Sequence, residues 1–288
     1  MQKMDLCNPS VIKSLLGDEG THLRKEYGQN FLIRREIPMR IAEECTEHEL
    51  SMIREIGPGI GCLTKELAER YEKVVSVEID THLLPILAKT LAEYENVTII
   101  NQDIMKVDLS ALVEEHAEGR TVSVCANLPY YITTPILMAL LESGVSFRSI
   151  TVMVQAEVAA RLCAKAGEDT YGAITAVLGY YGETRRLFTV PASAFLPAPK
   201  VNSAVVRIDL YETPRYTPKD KKLFFGLIKA AFEMRRKTLV NAIAAKLPYT
   251  KEQVADALAL IGLSDKIRGE RLSTADFASL ADALFLVK

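Results

Sequence analysis

The feature that most constrains how this 288-residue chain can fold is a series of short β-rich runs between residues 51 and 154, separated by helical stretches. The runs are SMIREI (51–56), KVVSVEI (73–79), NVTII (96–100), TVSVCA (121–126) and SITVMV (149–154). Several are apolar at nearly every position, as in strands covered on both faces, so the reading is an α/β fold: a parallel sheet sandwiched by helices. RRLFTV (185–190) and SAVVRIDL (203–210) supply further strands at a sheet edge. After Pro214 the strand signals stop, and KKLFFGLIKAAFEMRR (221–236) and KEQVADALALI (251–261) read as helices. Two domains are expected, 1–212 and a small helical one at 213–288. Asn8 followed by Pro9 marks the start of a short amino-terminal helix through Leu16, because Asn caps free N–H groups and proline tolerates the first helical position.

Composition enters as a test of partners. With 49% hydrophobic and 25% charged residues the chain is globular. The formal charge of −2 argues against a polyanion binder when taken as an average. Resolved by position it does not: residues 211–288 hold 14 basic and 9 acidic side chains, and eight of the basic ones fall between Arg215 and Lys237. A basic run of that kind holds phosphate or is a solvated helix face. The five cysteines form no CxxC and the four histidines lack ligand spacing, so neither a metal site nor a disulfide framework is expected. No stretch approaches the roughly 18 apolar residues of a membrane span, and no cleavable apolar leader opens the chain, so a cytoplasmic location is expected.

The strongest local motif is Glu55-Ile56-Gly57-Pro58-Gly59-Ile60-Gly61, where a buried strand gives way to CLTKELAERY. Glycines let the backbone turn sharply and approach a ligand, and the helix that follows presents free N–H groups. A glycine-rich stretch is equally how a strand simply turns into a helix. The Gly-x-Gly-x-Gly spacing leaves Cys62 where a dinucleotide fingerprint wants its third glycine, which disfavours NAD. Glu78, at the end of the second run, is placed to accept hydrogen bonds from both hydroxyls of a ribose, and Asp103 follows the third run at the same sheet edge. Asp80 reads as a helix cap. Together these residues suggest S-adenosylmethionine as cofactor.

The fourth run ends in Asn127-Leu128-Pro129-Tyr130-Tyr131. The exocyclic amine of adenine is a weak nucleophile because its lone pair is delocalised into the ring. Acceptance of its two hydrogens by the Asn127 side-chain oxygen and the Leu128 carbonyl would draw that pair out. Pro129 would fix the turn and Tyr130 stack on the base. The same residues also suit a turn that merely ends a strand. In Phe195-Leu196-Pro197-Ala198-Pro199-Lys200-Val201-Asn202-Ser203 the prolines hold the chain extended. Phe195 is either a second aromatic face for a flipped base or a core residue at a strand start. YGQNFL (27–32) is too polar at Gln29 and Asn30 for core and reads as a loop.

YGQNFL, EIGPGIGCLT, VEID, NLPYY, FLPAPKVNS and the run Phe232 to Leu239 (FEMRRKTL) occur in order from about residue 22 to the end. As a set they resemble the small-subunit rRNA adenine dimethyltransferase family. The resemblance implies a class I, Rossmann-like methyltransferase domain followed by a small all-helical domain. It implies that two adjacent adenosines in the 3′-terminal hairpin of small-subunit rRNA, within an immature subunit, each receive two N6 methyl groups from S-adenosylmethionine, without a metal. By motif match, Asn30, Leu32, Gly57, Glu78, Asp103 and Asn127 would contact the cofactor. Asn127, Leu128, Pro129 and Tyr130 would present the adenine with Phe195 as stacking partner, and Lys200, Arg235, Arg236 and Lys237 would contact RNA. A monomer is expected. The large-subunit adenine dimethyltransferases that confer macrolide resistance share the fold and similar NxPY and FxPxPxV patterns, and RRKTL favours the small-subunit enzymes over them. An RNA-binding assembly factor with residual activity is a third reading, weakened by the intact NLPY and acidic pair. A nicotinamide oxidoreductase is weakened by the glycine spacing.

Overall fold

The computed structural model describes residues 4–18, 29–46 and 51–287. Its elements in chain order are α1 (Pro9–Asp18), β1 (Phe31–Leu32), α2 (Glu36–Glu43), β2 (Met52–Ile56), α3 (Cys62–Ala68), β3 (Lys73–Glu78), α4 (Leu84–Thr90), β4 (Val97–Asn101), α5 (Leu109–Ala117), β5 (Val122–Asn127), α6 (Thr133–Glu142), β6 (Phe147–Gln155), α7 (Ala156–Leu162), α8 (Ala173–Tyr181), β7 (Gly182–Val190), β8 (Phe195–Leu196), β9 (Ser203–Leu210), α9 (Lys221–Glu233), α10 (Leu239–Lys246), α11 (Lys251–Leu260) and α12 (Thr274–Leu286). The seven runs read as strands all lie in one sheet. Asn8 accepts a hydrogen bond from the Ser10 N–H at 2.9 Å and so starts α1.

The chain forms two compact units. The first, Met1–Ala159 with Arg185–Leu210, holds most of a seven-stranded sheet in the order β4-β3-β2-β5-β6-β9-β7. β4, β3, β2, β5 and β6 run parallel, and β9 lies antiparallel to β6. From β2 the chain steps outward to β3 and β4, then returns to β5 on the other side. The crevice beyond the carboxyl ends of β2 and β5 is therefore a switch point, the place where open α/β sheets bind ligands. Every residue of β2 is buried, including the charged Arg54 and Glu55 that interrupt its apolar pattern. One core cluster joins Ile37 and Ile41 of α2, Leu63 and Leu67 of α3, and Ile53 and Val74 of the sheet. A second packs Ile12 and Leu15 of α1 against Ile60, Leu83 and Leu87.

The second unit combines Ala160–Thr184 with Tyr211–Lys288. A single cut at residue 212 thus separates α8 from the helices it packs on: the Thr274 hydroxyl donates to the Ala176 carbonyl at 3.0 Å, and Tyr171 donates to the Leu272 carbonyl at 2.9 Å. Four of its helices begin on side-chain caps, with Asp220, Thr238, Thr250 and Ser273 accepting from backbone N–H groups of α9, α10, α11 and α12. α9 ends at Glu233, three residues before the end of its sequence pattern.

Candidate active site

The glycine turn sits at the carboxyl end of β2. Gly57, Gly59 and Gly61 have φ of 68°, 63° and 93°, a left-handed backbone that side chains rarely adopt. A Cβ at Gly57 would meet nothing within 4 Å, because that residue lines open space. At Gly59 a Cβ would press on the Phe31 ring at 3.3 Å.

Glu78 closes the next strand, 5% exposed. One carboxylate oxygen accepts the Gly59 N–H at 3.3 Å and the other the Asp80 N–H at 2.8 Å. The acid is thereby aimed and tied to the glycine turn. Burial pushes its pKa up, and the two backbone donors oppose that shift. Asp80 caps the turn after β3 by accepting from the His82 N–H at 3.1 Å, and Gln29 donates to it at 2.8 Å. Gln29 thus holds the start of the β1 segment against the end of β3. Tyr27 and Gly28 of the YGQNFL motif lie outside the described residues.

A first cavity is lined by Asn30, Leu32, Gly57, Glu78, Asn127, Leu128, Pro129 and Tyr130, among others. A second, sharing Gly57 and Pro129 with it, is lined by Asp103, Val77, Ile79, Ile104 and Tyr131. Asp103 also caps its own turn through the Met105 N–H at 3.0 Å. Five of the six residues matched to cofactor contacts border the first cavity, and the sixth, Asp103, borders the second. Neither the Asn127 amide nor the Leu128 carbonyl carries a hydrogen bond among the described residues, although both border the first cavity. The Leu128 N–H is tied to the Met153 carbonyl at 3.2 Å, and the Pro129 carbonyl accepts from Ile132 at 3.3 Å, which fixes the turn.

Phe195 does not project into the cleft. It is 2% exposed and belongs to the core cluster of α2 and α3. The reason is β8: Phe195 pairs with Leu32 and Leu196 with Phe31 in a two-stranded antiparallel ribbon. Of the segment up to Asn202 only Phe195 and Leu196 are extended as a strand, and that extension serves pairing; the Leu196–Pro197 peptide that follows is cis. Lys200 is exposed in the first unit. In the second, Arg235 donates to Glu270 at 2.8 Å and to the Asp169 carbonyl at 2.7 Å, so it braces the end of α9. Arg236 and Lys237 are exposed.

Three contributors escape a reading by motif. Glu55, 1% exposed, lines the first cavity and accepts from Ser76 at 2.7 Å, and burial raises its pKa to about 7. Its place at the head of the glycine motif was the available signal. The amino-terminal segment covers α3: Cys62 donates to the Leu6 carbonyl at 3.1 Å and Lys65 to the Met4 carbonyl at 2.9 Å. Ser203 meets Tyr130, a contact that no local pattern announces.

A cationic cofactor of the S-adenosylmethionine type fits this donor set, with glycines that leave room, two buried carboxyls bordering the cavity, and an unpaired amide. Among the described residues no group of His, Cys, Asp and Glu is arranged to hold a metal, and no helix is long and apolar enough to cross a membrane. A glycine turn, an aimed acid and an Asn-Leu-Pro-Tyr strand end at the switch point of a parallel sheet define a nucleotide-cofactor transferase. The family described as ribosomal RNA adenine dimethylase matches over residues 20–284, and the chain belongs to that family. It is an S-adenosylmethionine-dependent rRNA adenine dimethyltransferase. The ribosomal RNA small subunit methyltransferase A of Shouchella clausii is 44% identical over 284 residues, 98% of this chain and 96% of that protein. The protein of the same name from Geobacillus thermodenitrificans is 45% identical, over 97% of each. Among solved structures, a dimethyladenosine transferase from Plasmodium falciparum has a TM-score of 0.73 at 24% identity, covering 87% of this chain and 95% of that one. The 23S rRNA methyltransferase ErmE has a TM-score of 0.70 at 25% identity, covering 89% and 100%.

Proposed function

We propose that the protein dimethylates the N6 amines of two adjacent adenosines in the 3′-terminal hairpin of small-subunit rRNA, within an immature subunit. The observation that carries this reading is the pair of unengaged acceptors, the Asn127 amide and the Leu128 carbonyl, on the cavity that Gly57 and Glu78 also line. The names of the relatives at 44–45% identity support the small subunit as target, as does the RRKTL segment.

Asn30, Leu32, Gly57, Glu78, Asp103 and Asn127 hold the cofactor, with Glu78 taking the ribose hydroxyls through the lone pairs its two backbone donors leave free. When bound, S-adenosylmethionine supplies a methyl group on a sulfonium, which is electrophilic without metal help. The Asn127 amide oxygen and the Leu128 carbonyl accept hydrogen bonds from the amine N–H groups that remain at each transfer, which favours a nitrogen lone pair out of the ring plane and leaves the amine proton to be lost to water, while Tyr130 supports the base. Most of the rate then comes from alignment of amine and methyl. Lys200, Arg236 and Lys237 are the cations left for RNA phosphates. Arg235, engaged with Glu270, is a brace.

Incubation with labelled S-adenosylmethionine and, separately, immature small and large subunits, followed by mapping of modified nucleotides, tests the assignment. Label is expected on two adjacent adenosines of the small subunit, and label on the large subunit would overturn it. In the same assay Tyr130→Ala is expected to lower methyl transfer about 5- to 150-fold, the equivalent of roughly 1–3 kcal/mol of base stacking, with cofactor affinity by calorimetry unchanged.

A further inference from the structure

The FLPAPKVNS segment reaches the active site through a residue other than Phe195. The Tyr130 phenol oxygen lies 2.6 Å from the Ser203 Oγ, a contact between residues 73 apart in sequence. Ser203 is wholly buried and is the first residue of β9, opposite Gln155 in the antiparallel ladder with β6. Its neighbour is fixed as well: the Asn202 carbonyl accepts the Ala156 N–H at 2.9 Å, and the Asn202 side-chain oxygen accepts the Ala192 N–H at 3.0 Å. The Ser203 hydroxyl therefore stands on backbone held from both sides. Tyr130 stands on a turn, half-buried, at the edge of the cavity that Asn127 and Leu128 line.

A side chain on a turn has several staggered χ1 wells open to it. A hydrogen bond at the far end of the ring selects the one that reaches Ser203, and neither hydroxyl has another partner among the described residues. We propose that Ser203 is a positioning residue for methyl transfer, pinning the Tyr130 ring in the place where the target adenine lies against it. The inference rests on the reading of Tyr130 as the support for the base. It gives the last residue of the FLPAPKVNS motif a task that burial denies to the first.

The test is a double-mutant cycle on the full-length protein with immature small subunits as substrate, reading kcat and KM separately, together with calorimetric cofactor affinity and thermal melting. Tyr130→Phe removes one half of the contact by deleting a single oxygen, and Ser203→Ala removes the other half. Each is expected to lower kcat about 3- to 10-fold, the worth of one hydrogen bond. The double variant is expected to be no slower than the slower single one, and cofactor affinity to be unchanged in all three. A wild-type kcat in Tyr130→Phe, or losses that multiply in the double variant, would overturn the assignment. A purely structural Ser203 would give multiplying losses and a lowered melting temperature. If Ser203→Ala does not fold, Tyr130→Phe alone decides by the same kcat criterion. Tyr130→Ala separates the two layers. Wild-type turnover in that variant removes the base-support reading itself, whereas slow Tyr130→Ala beside normal Tyr130→Phe removes only the role of Ser203.

Discussion

Two adjacent residues of β2 are charged and buried for different reasons. Glu55 points to the cleft side of the sheet, where Ser76 and the cofactor cavity receive it. Side chains alternate along a strand, so Arg54 lies on the opposite face and cannot neutralise it. Arg54 is fully buried, with Val75 and Val124 as its neighbours on β3 and β5, and none of its three guanidinium nitrogens has a hydrogen-bond partner among the described residues. Burial pushes its pKa down to about 10, so at neutral pH the charge persists inside. An unpaired buried ion costs several kcal/mol, and an apolar side chain of similar length removes that cost. Arg54→Met is accordingly expected to stabilise the protein by about 1–4 kcal/mol, seen as a higher urea midpoint at unchanged m-value. A lower midpoint would mean that the guanidinium is satisfied in solution by a partner such as bound water.

At the scale of elements, the turn from α9 into α10 separates two kinds of basic residue that a sequence reads as one run. Arg235 is engaged with Glu270 and the Asp169 carbonyl, whereas Arg236 and Lys237 face solvent. Arg235→Ala is expected to cost up to about 1 kcal/mol of stability, the range of a partly exposed ion pair. Arg236→Ala with Lys237→Ala should leave the melting temperature unchanged and reduce the slope of log affinity for rRNA against log salt by about 1 to 2. Equal salt slopes for that double variant and the wild type would return both residues to a solvated surface. The central strands β3, β5 and β6 were legible because they are buried almost throughout and so read as apolar runs, while β4 and β7, which are less covered, were legible from their β-branched and aromatic residues. The β1–β8 ribbon was not: it is two residues long and joins Phe31 to Leu196, and an extended chain says nothing about which way Phe195 faces. The placing of Gly57, Glu78, Asp103 and Asn127 along one sheet edge was legible because they fall at or just after the ends of β2 to β5, whereas Asn30 and Leu32 lie outside that sheet and only the family resemblance pointed to them. The Tyr130–Ser203 contact was hidden because it depends on how an antiparallel strand returns to the sheet.

For the molecule as a whole, the sequence boundary at 212 and the compact units differ in one segment, Ala160–Thr184. That segment shows no change of strand pattern, and only its packing assigns it to the second unit. With it included, the second unit carries 16 basic and 12 acidic side chains, so the basic excess survives the reassignment. A fragment ending at residue 212 would keep α8 and lose α9 and α12, leaving Ala176, Val177 and Leu178 without cover. Trypsin is expected to cut such a fragment at Arg161 and Lys165 much faster than it cuts the full chain, as mass spectrometry of the digests would report. Equal cutting rates would show that α8 is held without those helices.

The same division limits what heredity can exchange. A crossover between relatives placed between β9 and α9 would transmit one parent's α9 to α12 together with the other parent's α8, and the Thr274–Ala176 contact would then join surfaces that had never been selected together. Two segments separated by a pair of sheet strands pack into one unit and are expected to change in concert. The second unit is expected to pass between lineages with the first, as a single genetic cassette.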